Sequence, residues 1–186
     1  MLKKLLVVLA AGVVLSSVVY AAGGEGVVGL NYGMLQTPSI EGGDGVTKGG
    51  IGLGFQYLVP SADGKWKYGA EIATMPLYNY KDSLGIEVSL NSIPIMGVAK
   101  YQVESSGEMK PYILGALGLC YTTVKASVMG FSSSESKMYL GLSIGGGITT
   151  KLSDKTDLDI NLRYNRVNAD EAASTISLGA GVAFGL

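Results

Sequence analysis

The sequence predicts an all-β protein: an eight-stranded antiparallel up-and-down transmembrane β-barrel, preceded by a helical signal peptide. Three observations carry that prediction. After the first 22 residues, apolar side chains alternate with small or polar ones through eight segments, at the period of a strand. Charged residues make up only 16% of the chain, against about 25% in an average soluble domain. Mean hydropathy is +0.33, yet beyond residue 22 no apolar run approaches the ~20 residues of a spanning helix.

The first element is the export signal. Lys3 and Lys4 form a positive start, residues 5–15 are an apolar run, and Val19-Tyr20-Ala21 has the small-x-small pattern of a cleavage site. The expected division is therefore a signal peptide at 1–21 and a barrel domain at 22–186. An uncleaved anchor is the alternative, but Ser16, Ser17 and the alanine pair favour cleavage.

The first strand alternates Val28, Leu30, Tyr32 and Met34 with Gly29, Asn31 and Gly33. The second sets Ile51, Leu53, Phe55 and Tyr57 against Gly52, Gly54 and Gln56. In the third, Trp66, Tyr68, Ala70 and Ile72 oppose Lys67, Gly69 and Glu71. The fourth covers about 86–103 and changes parity: Val88 and Leu90 fall on one face, Ile93, Ile95 and Tyr101 on the other. A bulge near Asn91-Ser92 would reconcile them by adding one residue. In the fifth, about 111–124, Ile113, Leu117, Leu119 and Tyr121 form the outer set and Cys120 points inward. The sixth alternates Met138, Leu140, Leu142 and Ile144 with Tyr139, Gly141, Ser143 and Gly145. The seventh sets Leu158, Ile160, Leu162 and Tyr164 against Asp159, Asn161, Arg163 and Asn165. The eighth, TISLGAGVAFGL, closes the sequence.

Connectors of two kinds alternate between these strands, as up-and-down hairpins require. PSADGK (60–65), ESSGEMK (104–110) and LSDKTD (152–157) are short turns. The others are expected at 36–46, 79–85, 125–136 and 168–174.

Long alternating strands close either into a soluble barrel with the apolar face inside or a membrane barrel with that face outside. The less apolar set decides. It mixes a few ions with many glycines, which suits a narrow interior better than a solvated surface. Lipid forbids open sheet edges, so the sheet must close. Eight strands leave an interior that side chains fill. Tyr57, Trp66, Tyr68 and Tyr101 lie near the short-turn ends, where amphipathic rings meet the membrane boundary.

At the C-terminus Gly181, Phe184 and Leu186 resemble the assembly signal of bacterial outer-membrane barrels, although Leu186 replaces the usual terminal Phe. SIPIMGVAKY (92–101), KPYILGALGLCY (110–121) and GGGITTKLSDKTDLDINLRYNRV (145–167) resemble the OmpA/OmpX-type outer-membrane β-barrel superfamily. The resemblance implies location in the bacterial outer membrane, periplasmic termini, four loops outside the cell, and contact with lipid, lipopolysaccharide and the barrel-insertion machinery. No OmpA-like peptidoglycan-binding domain is expected after the barrel.

Several function classes lose support. Without Lys3 and Lys4, 12 basic residues face 15 acidic ones, which is no nucleic-acid footprint. Cys120 is the sole cysteine and suits a small buried filler. There is no histidine, the commonest general base and metal ligand. The resemblance implies that an acyl-chain enzyme of a small barrel would need one. No catalytic residue, metal or cofactor is expected, and the chain is read as a monomer that is not an enzyme.

What remains is an interior ion network and the outer loops. Glu71 and Arg163 lie at similar depth on facing strands and are expected to pair, with Lys67, Asp159 and Lys100 near one end. Such a network can plug the interior or gate a narrow pore. Met75, Leu77, Pro94, Met96 and Val98 would give part of that interior an apolar lining. Glu41, Asp44, Asp82, Glu135, Asp170 and Glu171 are rim acids. Val128, Met129 and Phe131 form an apolar tip in a serine-rich loop, a contact candidate for a surface protein. The readings are a structural or surface-interaction barrel, a narrow channel for small or apolar solutes, and a soluble periplasmic ligand-binding barrel.

Overall fold

The computed structural model describes residues 23–37, 46–81, 85–128, 131–169 and 172–185. The expected signal peptide, the rim acids Glu41, Asp44, Asp82, Asp170 and Glu171, Met129 and Leu186 lie outside these residues. The strands are β1 (Glu25–Thr37), β2 (Val46–Thr47), β3 (Gly50–Pro60), β4 (Trp66–Ala73) and β5 (Met75–Lys81). They continue with β6 (Ile86–Gln102), β7 (Met109–Val128), β8 (Phe131–Lys151), β9 (Thr156–Asn168) and β10 (Ala173–Gly185).

These ten pieces make a ring of eight, because β2 with β3 and β4 with β5 are each one strand interrupted. Every pairing is antiparallel, and β1 pairs both β3 and β10, which closes the barrel. The two interruptions have local causes. Gly49, between β2 and β3, has φ of 116°, a bend that disfavours any side chain. The β4–β6 and β5–β6 ladders share one register but skip Ala73 and Thr74, opposite Ile93 and Pro94. Pro94 has no N–H to donate, so the ladder breaks there. Thr74 turns to β3 instead, where its N–H donates to Leu53 O at 2.7 Å.

The alternation sets the orientation as expected. Leu162 is 57% exposed and Leu178 58%, while Asp159 is 3% exposed on the opposite face. In β7, Ile113, Leu117, Leu119 and Tyr121 face outward and Cys120 is buried. Open sheet edges and bare backbone are excluded from lipid, so the outer face stays apolar and the ions turn inward.

Two expectations are corrected. β6 runs straight: its ladder with β7 is unbroken from Ile86 to Gln102, so no bulge lies at Asn91-Ser92. The extra residue is Leu77 on the neighbouring strand, where the β5–β6 register shifts between Pro76 and Tyr78. Val88 and Leu90 therefore point inward, and Leu90 packs against the buried cluster of Leu35, Met75, Leu77 and Ala173. The expected loop 125–136 is also strand. β7 and β8 pair continuously up to Val128 and Phe131, leaving only residues 129 and 130 between them. Above Leu140, β8 pairs with β7 alone among the described residues, because the β8–β9 ladder starts at Leu140 and Asn168. The result is a β7–β8 ribbon whose β8 edge stands clear of β9 over nine residues, about 30 Å of strand at ~3.3 Å per residue, while its β7 edge stays paired with β6 up to Ile86 and Val128.

Candidate functional site

The interior has two walls of different chemistry. On one side Met96, Val98, Leu114, Ala116 and Cys120 from β6 and β7 form an apolar cluster with Leu58 and Val167. On the other, ions and amides from β1, β3, β4 and β9 face the axis. Burying those ions is tolerable only if each finds partners.

They do so in one connected network. Arg163 Nη1 donates to Glu71 Oε2 at 2.7 Å, joining β9 to β4 across the interior. Gln56 Nε2 donates to the same carboxylate oxygen at 2.5 Å. Arg163 Nε donates to Asn161 Oδ1 at 3.1 Å, and Asn161 Nδ2 donates to Asp159 Oδ1 at 3.0 Å. Asp159 Oδ2 accepts from Lys100 Nζ at 2.9 Å, and Tyr112 Oη donates to Asp159 Oδ1 at 2.7 Å. The Lys100 ammonium also lies 3.8 Å from the Tyr112 ring centroid, a cation–π contact. Lys67 pairs with Glu25, whose other carboxylate oxygen lies 3.9 Å from Lys100. Three cations thus face three carboxylates.

All five ions named from the sequence fall in this network. Glu25, Gln56, Tyr112 and Asn161 complete it. Glu25 sits beside the expected cleavage site, where no alternation upstream reveals its face. Tyr112 reads as a boundary aromatic from its place at a strand start. The usable signal for it is Gly147, directly opposite on β8. A Cβ there would lie 2.6 Å from Tyr112 Oη, so only glycine leaves the ring room to turn inward. Gly179 makes the same allowance for Asn161, whose Oδ1 would lie 2.7 Å from its Cβ.

A cavity of about 70 Å³ remains beside the network, lined in part by Asn31, Gln56, Glu71 and Arg163. That is room for a few waters. Above it Ser143 and Asn165 hydrogen-bond at 2.8 Å, and Asn165 also donates to Ser177 at 3.0 Å. Higher still lies the apolar cluster of Leu35, Met75, Leu77 and Ala173.

The other named residues lie elsewhere. Trp66 stacks on Tyr68 with ring centroids 5.8 Å apart and meets Tyr101 at 4.9 Å, a cluster on the outer face at the short-turn end. Tyr57 does not join it: its ring lies over Gly24, and its hydroxyl is buried without a hydrogen-bond partner among the described residues. Gly181 pairs with Gly29 at the closing seam, and Phe184 pairs with Gly26 and Thr156. Val128 pairs with Phe131 at the top of the ribbon, and Phe131 is 85% exposed.

The family model of the outer membrane protein beta-barrel domain matches residues 6–184. No curated protein matches the sequence. Solved structures are similar in fold. Neisserial surface protein A is 17% identical, with 88% of this chain and 97% of that one covered and a TM-score of 0.59. Ail, the attachment invasion locus protein of Yersinia pestis, is 18% identical, with 87% and 99% covered and a TM-score of 0.61. OprG from Pseudomonas aeruginosa is 14% identical, with 89% and 97% covered and a TM-score of 0.50. Identities this low speak to fold alone, but the family match spans nearly the whole sequence and agrees with the closed ring and its lipid-facing surface. The chain belongs to the outer membrane protein β-barrel family and is located in the bacterial outer membrane.

Proposed function

We propose that this is a closed barrel whose working part is the β7–β8 ribbon, which it holds outside the cell as a contact surface for another protein. One observation carries the reading. Residues 131–139 of β8 have a ladder partner on one side only, among the described residues. An unpaired strand edge offers backbone donors and acceptors to an extended segment of a partner. Phe131 at the tip adds an exposed aromatic anchor. The name of the similar Ail protein, attachment invasion locus protein, agrees with such a role.

The interior supports a plug. The Glu71–Arg163 pair spans the interior, a cavity of about 70 Å³ lies beside it and an apolar cluster lies above, an arrangement that favours a plug over a pore. Planar bilayers containing the protein are expected to show no single-channel steps, for wild type and for Glu71→Ala. Discrete steps would return the narrow-channel reading.

The contact role is tested by removing residues 127–132, which takes away Phe131 and the last two rungs that β7 makes with β8 and with β6 and leaves the other ladders unchanged. Bacteria displaying this variant are expected to lose adhesion to epithelial monolayers while the protein keeps its heat-modifiable migration. Undiminished adhesion would reject the ribbon as the contact surface.

A further inference from the structure

The lipid-facing surface sinks over β6 and β7 into a groove that runs obliquely from Tyr68 on β4 to Tyr164 and Arg166 on β9. Gly97, Ala99 and Gly115 form its floor, and Leu117, Leu142 and Ile144 line it further along. The ladders make it continuous: Ala99 pairs with Gly115, Gly115 with Ile144, and Ile144 with Tyr164. Gly97 and Gly115 are both exposed, and neither makes way for a side chain of the barrel. A Cβ at Gly115 would meet nothing within 4 Å, and one at Gly97 would find its nearest neighbour at 3.7 Å. Gly147 and Gly179, in contrast, leave room that Tyr112 and Asn161 fill. Glycine weakens a strand interior and marks places where something else approaches the backbone closely. The room at 97 and 115 is open only to a molecule from outside the chain.

The upper end of the groove carries a charge. Arg166 is exposed on the same face of β9 as Leu162 and Tyr164. It stands ten residues above Thr156, about 25 Å along the axis for a strand tilted by ~40°, which is the outer edge of the ~25 Å lipid band. Its Nε donates to Asn168 Oδ1 at 3.1 Å, and its Nη groups have no partner among the described residues. Below it the outward residues of β9, Leu158, Ile160, Leu162 and Tyr164, carry no charge. We propose that the groove holds an acyl chain of a phosphorylated glycolipid, the lipid A part of lipopolysaccharide, whose phosphate is bound by Arg166. Location sets the chain, because a face within the lipid band of the outer membrane is covered by acyl chains. Charge sets the head group, because a guanidinium with both Nη groups free grips a phosphate through two parallel hydrogen bonds. The depth of Arg166 places that phosphate in the outer leaflet, whose phosphate-bearing lipid is lipopolysaccharide. The site is separate from the ribbon and does not depend on its contact role.

The test uses the full chain, methyl-labelled, in phosphatidylcholine nanodiscs that contain rising fractions of lipid A. Saturable shifts are expected at Leu117, Leu142 and Ile144, and none at Leu30 and Leu53, which face lipid on the opposite side of the ring. Arg166→Gln is expected to raise the half-saturating fraction by about tenfold, the loss of one charge-assisted phosphate contact. Gly97→Leu, and independently Gly115→Leu, are expected to abolish the shifts while each variant keeps heat-modifiable migration. Shifts that are equal on both sides of the ring, or that never saturate, would mean an ordinary lipid annulus and overturn the proposal. Saturable shifts that survive both leucines, or an unchanged half-saturating fraction in Arg166→Gln, would overturn it too. Equal half-saturation by phosphatidylglycerol would reject lipid A as the occupant. The same shifts in pure phosphatidylcholine, seen only when two copies share a disc, would give the face to a second copy of the chain and overturn the lipid site.

Discussion

Asp159→Asn is the sharpest probe of the interior. The substitution keeps shape and removes one charge. Lys100 is then left 2% exposed, with its nearest remaining carboxylate, on Glu25, 3.9 Å away and shared with Lys67. At an effective dielectric of about 20, the Lys100–Asp159 attraction at 2.9 Å is about 6 kcal/mol before desolvation. The Glu25 contact and the Tyr112 ring retain part of the stabilisation of the ammonium, and the new amide faces it with a donor. The net loss on breaking such a buried pair is about 3–5 kcal/mol. Lys100→Met removes the other charge but leaves Asp159 accepting from Tyr112 and Asn161, so its cost is smaller. The double variant is expected to be more stable than the sum of the two costs by at least ~2 kcal/mol. Reversible urea unfolding in lipid vesicles measures all four proteins. At ~2 kcal/mol per molar, Asp159→Asn lowers the midpoint by about 2 M. An Asp159→Asn protein within ~1 kcal/mol of wild type, or strictly additive costs, would refute the buried network as described.

Other outcomes follow from single contacts. Gly147→Leu would push the Tyr112 hydroxyl away from Asp159 and is expected to cost about 2–4 kcal/mol in the same unfolding assay. Gly115→Ala has open space around its Cβ and is expected to stay within ~0.5 kcal/mol. Gly181→Val is expected to lose the heat-modifiable form on gels, because its Cβ would lie 2.7 Å from Val28 O and 2.9 Å from Gly29 Cα at the seam. At the short-turn end, Lys65 Nζ lies 2.7 Å from Glu104 Oε1. Hydrogen bonding to that ammonium holds the Glu104 carboxyl below its ordinary range. The pair's small contribution is therefore present above the ordinary carboxylate pKa and fades as pH falls through the depressed one. NMR titration is expected to show Glu104 returning to its ordinary value in Lys65→Met; an unchanged midpoint would dismiss the pair.

The orientation of the sheet was legible because lipid and interior impose opposite chemistry on alternate residues. Leu158 to Tyr164 could only point one way once Asp159 and Arg163 required partners. The Glu71–Arg163 contact was legible for a related reason: strand rise converts residue count into depth, and in a closed ring of eight those strands face each other. The alternation also exposed a parity conflict around Asn91. It could not say which of two paired strands held the extra residue, since a bulge on either restores the match. Only the ladder shows that Leu77 holds it.

The sequence by itself determined the barrel class, its membrane placement and the facing of the regularly alternating strands, because period-two patterning is a local response to two solvents. Beyond the bilayer that pressure disappears. Ser132 to Lys137 has neither lipid nor a packed core to select its side chains, so a paired strand there looks like a loop. Its strand form comes from cross-strand hydrogen bonds to β7, a long-range term that no window of the sequence contains. The same holds for Tyr112 inside the bore, which depends on Gly147 arriving opposite it, a match that only the β7–β8 ladder shows.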